Sequence, residues 1–139
     1  MSEFKLTGGC LCGNVRYTIT KPAIDTHHCH CSICRRITGA LFLTLSIFPR
    51  DAFTYEKGKT PLSTYSSSAK LHRNFCKNCG AHVTLDLDAY PDQIWVTTGT
   101  IDNGAHPGHP KEVYRHAFFT SKVPWLEIKD DLPKVEGFK

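Results

Sequence analysis

The seven cysteines of this chain fall into three short clusters, and none stands alone: Cys10-Leu11-Cys12, Cys29-His30-Cys31-Ser32-Ile33-Cys34 and Cys76-Lys77-Asn78-Cys79. Neighbours this close do not readily reach disulfide geometry with one another, and an odd number cannot all pair. Thiolate ligation of metal suits the spacing better. Four thiolates close a tetrahedral structural zinc site, whereas three leave one position open, the ligand count of a catalytic zinc. The inventory therefore divides into two zinc sites per chain, one of four cysteines and one of three.

Local geometry supports that division. Along a strand, residues i and i+2 share a side, so Cys10 and Cys12 reach one ion while Leu11 turns toward the core. Between Cys76 and Cys79 the intervening pair forms a tight turn, and Gly80 supplies the positive φ that lets backbone amides donate to thiolate sulfur. A zinc shared by these outer pairs ties the amino-terminal segment to the middle of the chain, a clamp contributing on the order of 10 kcal/mol to folding. Cys29, Cys31 and Cys34 converge from a strand end into the following turn. A fourth ligand from His27, His28, His72, His82 or His116 would close that site and make it structural, and a redox trio is a further alternative. His30 points away from both flanking cysteines if the segment is extended. His106 and His109 lie in a Gly/Pro loop and read as solvated, while Trp95 and Trp125 read as core residues.

The 139 residues, 40% hydrophobic and 11% aromatic, suit one modest core, so residues 1–139 read as one domain. Met1 to Lys5 carry neither an apolar signal run nor an arginine-rich transit pattern, and no stretch is long enough to span a bilayer. The expectation is a cytoplasmic protein with reduced thiols and no membrane partner. A formal charge of +4 suggests a polyanion, but seven ionised thiols and two zinc ions would bring it to about +1. With no basic stripe interleaved with aromatics, a nucleic-acid partner is not expected. The basic residues of local interest are Arg35 and Arg36 beside the middle cluster, and Lys70 and Arg73 ahead of the last.

Period-two alternation of β-branched and aromatic residues marks strands at 15–19 and 94–97, with further candidates at 41–47, 53–55, 62–65, 71–75, 82–87 and 113–118. Turn chemistry separates them at Gly8-Gly9, Lys57-Gly58, Tyr90-Pro91-Asp92 and Asp102-Asn103-Gly104. Short helical turns fit only residues 32–38 and 49–52, since no window sustains a 3.6-residue apolar period. The fold class is all-β with antiparallel sheets.

The clusters with their flanks resemble the family of glutathione-dependent formaldehyde-activating enzymes. The resemblance is carried by Gly8-Gly9-Cys10-Leu11-Cys12-Gly13, Cys29-His30-Cys31-Ser32-Ile33-Cys34-Arg35, Phe75-Cys76-Lys77-Asn78-Cys79-Gly80, Gly99-Thr100-Ile101-Asp102 and Ser121-Lys122-Val123-Pro124-Trp125. It implies a zinc-stabilised fold like that of the Mss4 chaperone. It also implies that Cys10, Cys12, Cys76 and Cys79 form the structural zinc site, and Cys29, Cys31 and Cys34 the catalytic one. The implied activity is a reversible carbon-sulfur lyase reaction in which glutathione and formaldehyde give S-hydroxymethylglutathione. His28 and His30 are then candidate proton donors, and Arg35 and Arg36 candidate partners of glutathione carboxylates. The competing expectation is a non-catalytic protein-interaction module with both metals structural.

Overall fold

A computed structural model describes residues 3–57 and 61–139. Among the described residues ten strands form two sheets: β1 (Leu6–Gly9), β2 (Arg16–Ile19), β3 (Asp25–Cys29), β4 (Leu43–Pro49), β5 (Phe53–Lys57), β6 (Leu62–Ser68), β7 (Leu71–Cys76), β8 (His82–Leu87), β9 (Gln93–Thr97) and β10 (Arg115–Ala117). The small sheet runs β1-β2-β5, and the large one runs β10-β3-β4-β9-β8-β7-β6. Among the described strands every pairing is antiparallel except the parallel β10–β3 contact. The architecture is mostly β-sheet, with one helix, α1 (Ser32–Thr38), and five 3-10 turns among the described residues.

Period-two alternation builds a core on each side of the large sheet. Ile94 and Val96 of β9 join Leu6, Val15, Tyr17, Ile19 and Phe48 under the small sheet. Trp95 points the other way, into a second cluster with Leu45, Ile47 and Leu85. A bulge allows β8 to serve both cores: Asn74 pairs with Thr84 and Phe75 with His82, so Val83 is the extra residue. Val83 thereby enters the first core while Leu85 stays in the second.

Two expectations fail at the amino terminus. Gly8-Gly9 is not a turn but part of β1, because a Cβ on Gly8 would lie 2.3 Å from the Tyr17 hydroxyl and one on Gly9 2.1 Å from the Val15 carbonyl. Glycine is there for close approach of chains. The Cys10-Leu11-Cys12 segment is a turn rather than a strand, closed by Gly13 N–H donating to Cys10 O at 3.2 Å, and Leu11 is 91% exposed instead of core-facing. Trp125, expected in the core, is 71% exposed, whereas Trp95 is buried. The turn at Tyr90-Pro91-Asp92 forms, with Gln93 N–H donating to Tyr90 O. Of the expected Lys57-Gly58 turn, Lys57 ends β5 and Gly58 lies outside the described residues.

The Gly99-Thr100-Ile101-Asp102 motif holds the first hairpin down. Thr100 Oγ1 hydrogen-bonds the buried Tyr17 hydroxyl at 2.8 Å, and Asp102 accepts from Thr7 Oγ1 and Arg16. The Arg16 guanidinium, then the Thr7 hydroxyl, hold the Asp102 carboxyl below the usual carboxylate range.

Candidate metal centres

The outer cysteine pairs meet although distant in sequence. Cys10 and Cys12 lie on the turn after β1, and Cys76 and Cys79 bracket the β7–β8 turn, with all four Sγ atoms within 4.8 Å of one another. Cys12 Sγ is 3.6 Å from Cys10 Sγ and 3.7 Å from Cys76 Sγ. Sulfurs at about 2.3 Å around a tetrahedral ion are separated by about 3.8 Å, so the group fits a thiolate-bound metal. Backbone amides already point at the sulfurs: Val15 N–H at Cys10 and Cys79 N–H at Cys76. Gly80 takes the positive φ, +79°, that the turn needs. Amide donation from Cys12 and Ala81 brings the Cys79 thiol down to about 6, favouring thiolate at neutral pH.

The middle cluster forms a second convergence. Cys29 ends β3, Cys31 caps α1 by accepting from Cys34 N–H at 3.3 Å, and Cys34 lies in the helix. Their sulfurs all lie within 4.8 Å, with Cys29 and Cys31 3.4 Å apart. Hydrogen bonds from the Cys29 and Cys34 thiols, supplemented by the Cys34 and Ile33 amides, pull Cys31 down to about 2. The same shared proton pushes the Cys29 thiol up. Three close sulfurs that share protons in this way are suited to a cation that replaces them.

Among the described residues no histidine or carboxylate joins this trio. Three of the proposed fourth ligands are engaged elsewhere. His28 bonds Thr44 and Tyr114, His72 bonds Ser66 and Asp88, and His116 bonds His30 and Asp130. His27 lines the same cavity as the trio, with Nδ1 3.1 Å from Asp25, but does not join the sulfur group, and His82 lines other clefts. The two candidate proton donors are also poorly suited. Burial, then the nearby His116, brings both His28 and His30 down to about 4, so each is neutral at pH 7. His30 faces away from its flanking cysteines, as expected, with Nε2 2.8 Å from His116 Nδ1. Arg36 is exposed and Arg35 turns back onto the His30 carbonyl. Neither lines the cavity beside the trio.

That cavity, about 390 Å³, occupies the face of the large sheet opposite the small one. Cys29, Cys31 and Cys34 form part of its wall, beside Leu45, Leu85, Trp95 and Phe138. Arg73 of β7, only 2% exposed, also lines it and donates from Nη2 to Cys34 Sγ at 3.7 Å. Sequence proximity singled Arg73 out only as a neighbour of the last cluster. The alternation that puts residues 71, 73, 85 and 87 on one face was its available signal.

Fold and sites together define a class: a β-sheet protein with a four-cysteine clamp between hairpins and a three-cysteine group on a cavity wall. Residues 5–121 match the glutathione-dependent formaldehyde-activating enzyme family, and the chain belongs to that family. Fungal relatives provisionally named glutathione-dependent formaldehyde-activating enzymes include one from Phaeosphaeria nodorum, 35% identical over 79 residues, covering 57% of this chain and 42% of the relative. A Podospora anserina relative is 36% identical over 76 residues, covering 53% and 36% respectively. The chain thus aligns with less than half the length of these relatives. A crystal structure of a Rhodobacter sphaeroides protein shares the fold with a TM-score of 0.60 at 21% identity, covering 70% of this chain and 88% of that one.

Proposed function

We propose that this chain is a zinc-dependent carbon-sulfur lyase that reversibly joins a small thiol to an aldehyde, with glutathione and formaldehyde as the pair its family indicates. Cys10, Cys12, Cys76 and Cys79 hold the structural zinc, and Cys29, Cys31 and Cys34 are the catalytic set. The observation carrying the proposal is the sulfur trio with no fourth protein ligand among the described residues, set in a cavity wall. The alternative, an interaction module with both metals structural, calls for a fourth side chain on that trio. Residues 1–139 are read as one domain of Mss4-like, zinc-stabilised architecture, working in a reducing cytoplasm without a nucleic-acid partner. No described helix is long and apolar enough to cross a membrane.

Zinc, when bound, supplies a soft cation that favours a substrate sulfur as thiolate. The chain's own residues provide the rest. The three cysteines fix the centre at the cavity wall, and the Arg73 guanidinium offsets their negative charge through its contact with Cys34. Apolar walls lower the local dielectric around the reacting pair. As the thiolate sulfur attacks the carbonyl carbon, an S–C bond forms and the C=O π pair moves to oxygen, which takes a proton from water. The neutral His28 and His30, committed to other partners, do not supply it. Exchange NMR on equilibrated glutathione and formaldehyde tests the proposal. Zinc-loaded wild type should exceed the spontaneous exchange rate and Cys31→Ser should not; equal rates for wild type and background reject it.

A further inference from the structure

The cavity beside the trio is larger and less polar than formaldehyde chemistry needs. Its 390 Å³ are bounded by Leu45, Leu71, Leu85, Leu87, Trp95 and Phe138, drawn from four strands and the carboxyl-terminal tail. A one-carbon aldehyde touches almost none of that surface. Nor do the charged ends of glutathione suit it, because a carboxylate or ammonium against leucine loses its hydration without compensation. The walls match a hydrocarbon body.

One wall residue is charged, and it is incompletely satisfied. Arg73 Nε donates to Ser67 Oγ at 3.0 Å and Nη2 to Cys34 Sγ, but Nη1 is buried without a partner in the protein. A buried guanidinium N–H without an acceptor is costly, so Arg73, which lines the cavity, is suited to an oxygen that arrives with the ligand. Nη2 and Nη1 belong to one rigid fork, and Nη2 already touches the sulfur shell. An oxygen held by this guanidinium therefore lies at the cysteine end of the cavity. In a hemithioacetal, carbon carries sulfur and oxygen together, which is the arrangement this fork fits.

Resting on the thiol–aldehyde reading of the trio, we propose that the cavity is an aldehyde-side subsite for an aryl or long aliphatic chain. The hydrocarbon packs against Trp95, Phe138, Leu45 and Leu85, and the carbonyl oxygen accepts from the Arg73 guanidinium. The thiolate adds to the carbonyl carbon, the π pair moves to that oxygen, the guanidinium stabilises the alkoxide without losing its own proton, and water protonates it. The reverse reaction releases aldehyde and thiolate.

The test uses the zinc-loaded chain in a Trp125→Phe background, leaving Trp95 as the only indole. Phenylacetamide has the phenyl body and the carbonyl oxygen but resists thiol addition, so its binding is read as quenching of Trp95 fluorescence. Saturable quenching is expected, weakened about tenfold or more in Arg73→Met and in the cavity-filling Leu85→Phe. With glutathione as thiol, acceleration over the spontaneous rate should be about tenfold or more larger for phenylacetaldehyde than for formaldehyde. Arg73→Met should lose about a hundredfold of the former while keeping two zinc ions per chain. Acceleration of formaldehyde alone, with no quenching, overturns the subsite and leaves the trio's chemistry standing. No acceleration of either aldehyde removes the chemistry and the subsite together.

Discussion

Replacing Cys76 and Cys31 by serine, one at a time, should separate the two metal centres by their effect on folding. Cys76 Sγ lies 3.7 Å from Cys12 Sγ across 64 positions of chain, and Cys10 and Cys76 are themselves part of the first core. Metal shared there closes a long loop and is worth roughly 10–16 kcal/mol, which equals or exceeds the roughly 5–15 kcal/mol that stabilises a typical domain. Cys76→Ser should be largely unfolded. Cys31 differs on both counts. Its centre joins residues 29, 31 and 34, so it closes no long loop, and its sulfur serves locally as the cap accepting Cys34 N–H. Serine is a favourable N-cap, so Cys31→Ser keeps the start of α1 and should cost no more than about 1–2 kcal/mol. Far-UV circular dichroism, urea midpoints and zinc per chain from native mass spectrometry give the comparison. Equal unfolding of both variants, or a wild-type midpoint for Cys76→Ser, would refute the division.

Three further outcomes follow from the geometry. Gly8→Ala places a Cβ against the Tyr17 hydroxyl and the Thr100 carbonyl, and should lower stability by about 1–3 kcal/mol, read from the urea midpoint. His30 is held neutral, its pKa lowered from 6.5 to about 4, so its contribution is fully present above pH 6.5 and is lost as pH falls toward 4. Wild type should lose more stability than His30→Gln between pH 7 and pH 4.5, read from urea midpoints. Chelator challenge should release zinc in two phases, the faster one from the open centre; that phase should be missing in Cys31→Ser, and a single phase in wild type would count against two unequal sites.

Much of the fold was legible because the alternation in β9 and β4 feeds two cores on opposite faces of one sheet. The helix at Ser32–Thr38 also formed as its residues suggested. β1 was hidden by its own glycines, which signal a turn in isolation and serve chain approach to Tyr17 in context. β3, Asp-Thr-His-His-Cys, carries no apolar alternation; Arg115, bonded to Asp25, and Asp25, bonded to His27, anchor it laterally. Cysteine spacing announced both convergences, since short spacings constrain geometry directly. Arg73 and the cavity were not announced, because strands distant in sequence build that wall and only the sheet order brings them together.

X-ray absorption at the zinc edge, with and without glutathione, tests the open three-cysteine centre most directly. Two ions shared between four and three cysteines should show an average of about 3.5 sulfur neighbours per zinc, rising to about 4 when the thiol is added. An average of 4 before addition, or one that glutathione leaves unchanged, would contradict the proposed chemistry at Cys29, Cys31 and Cys34.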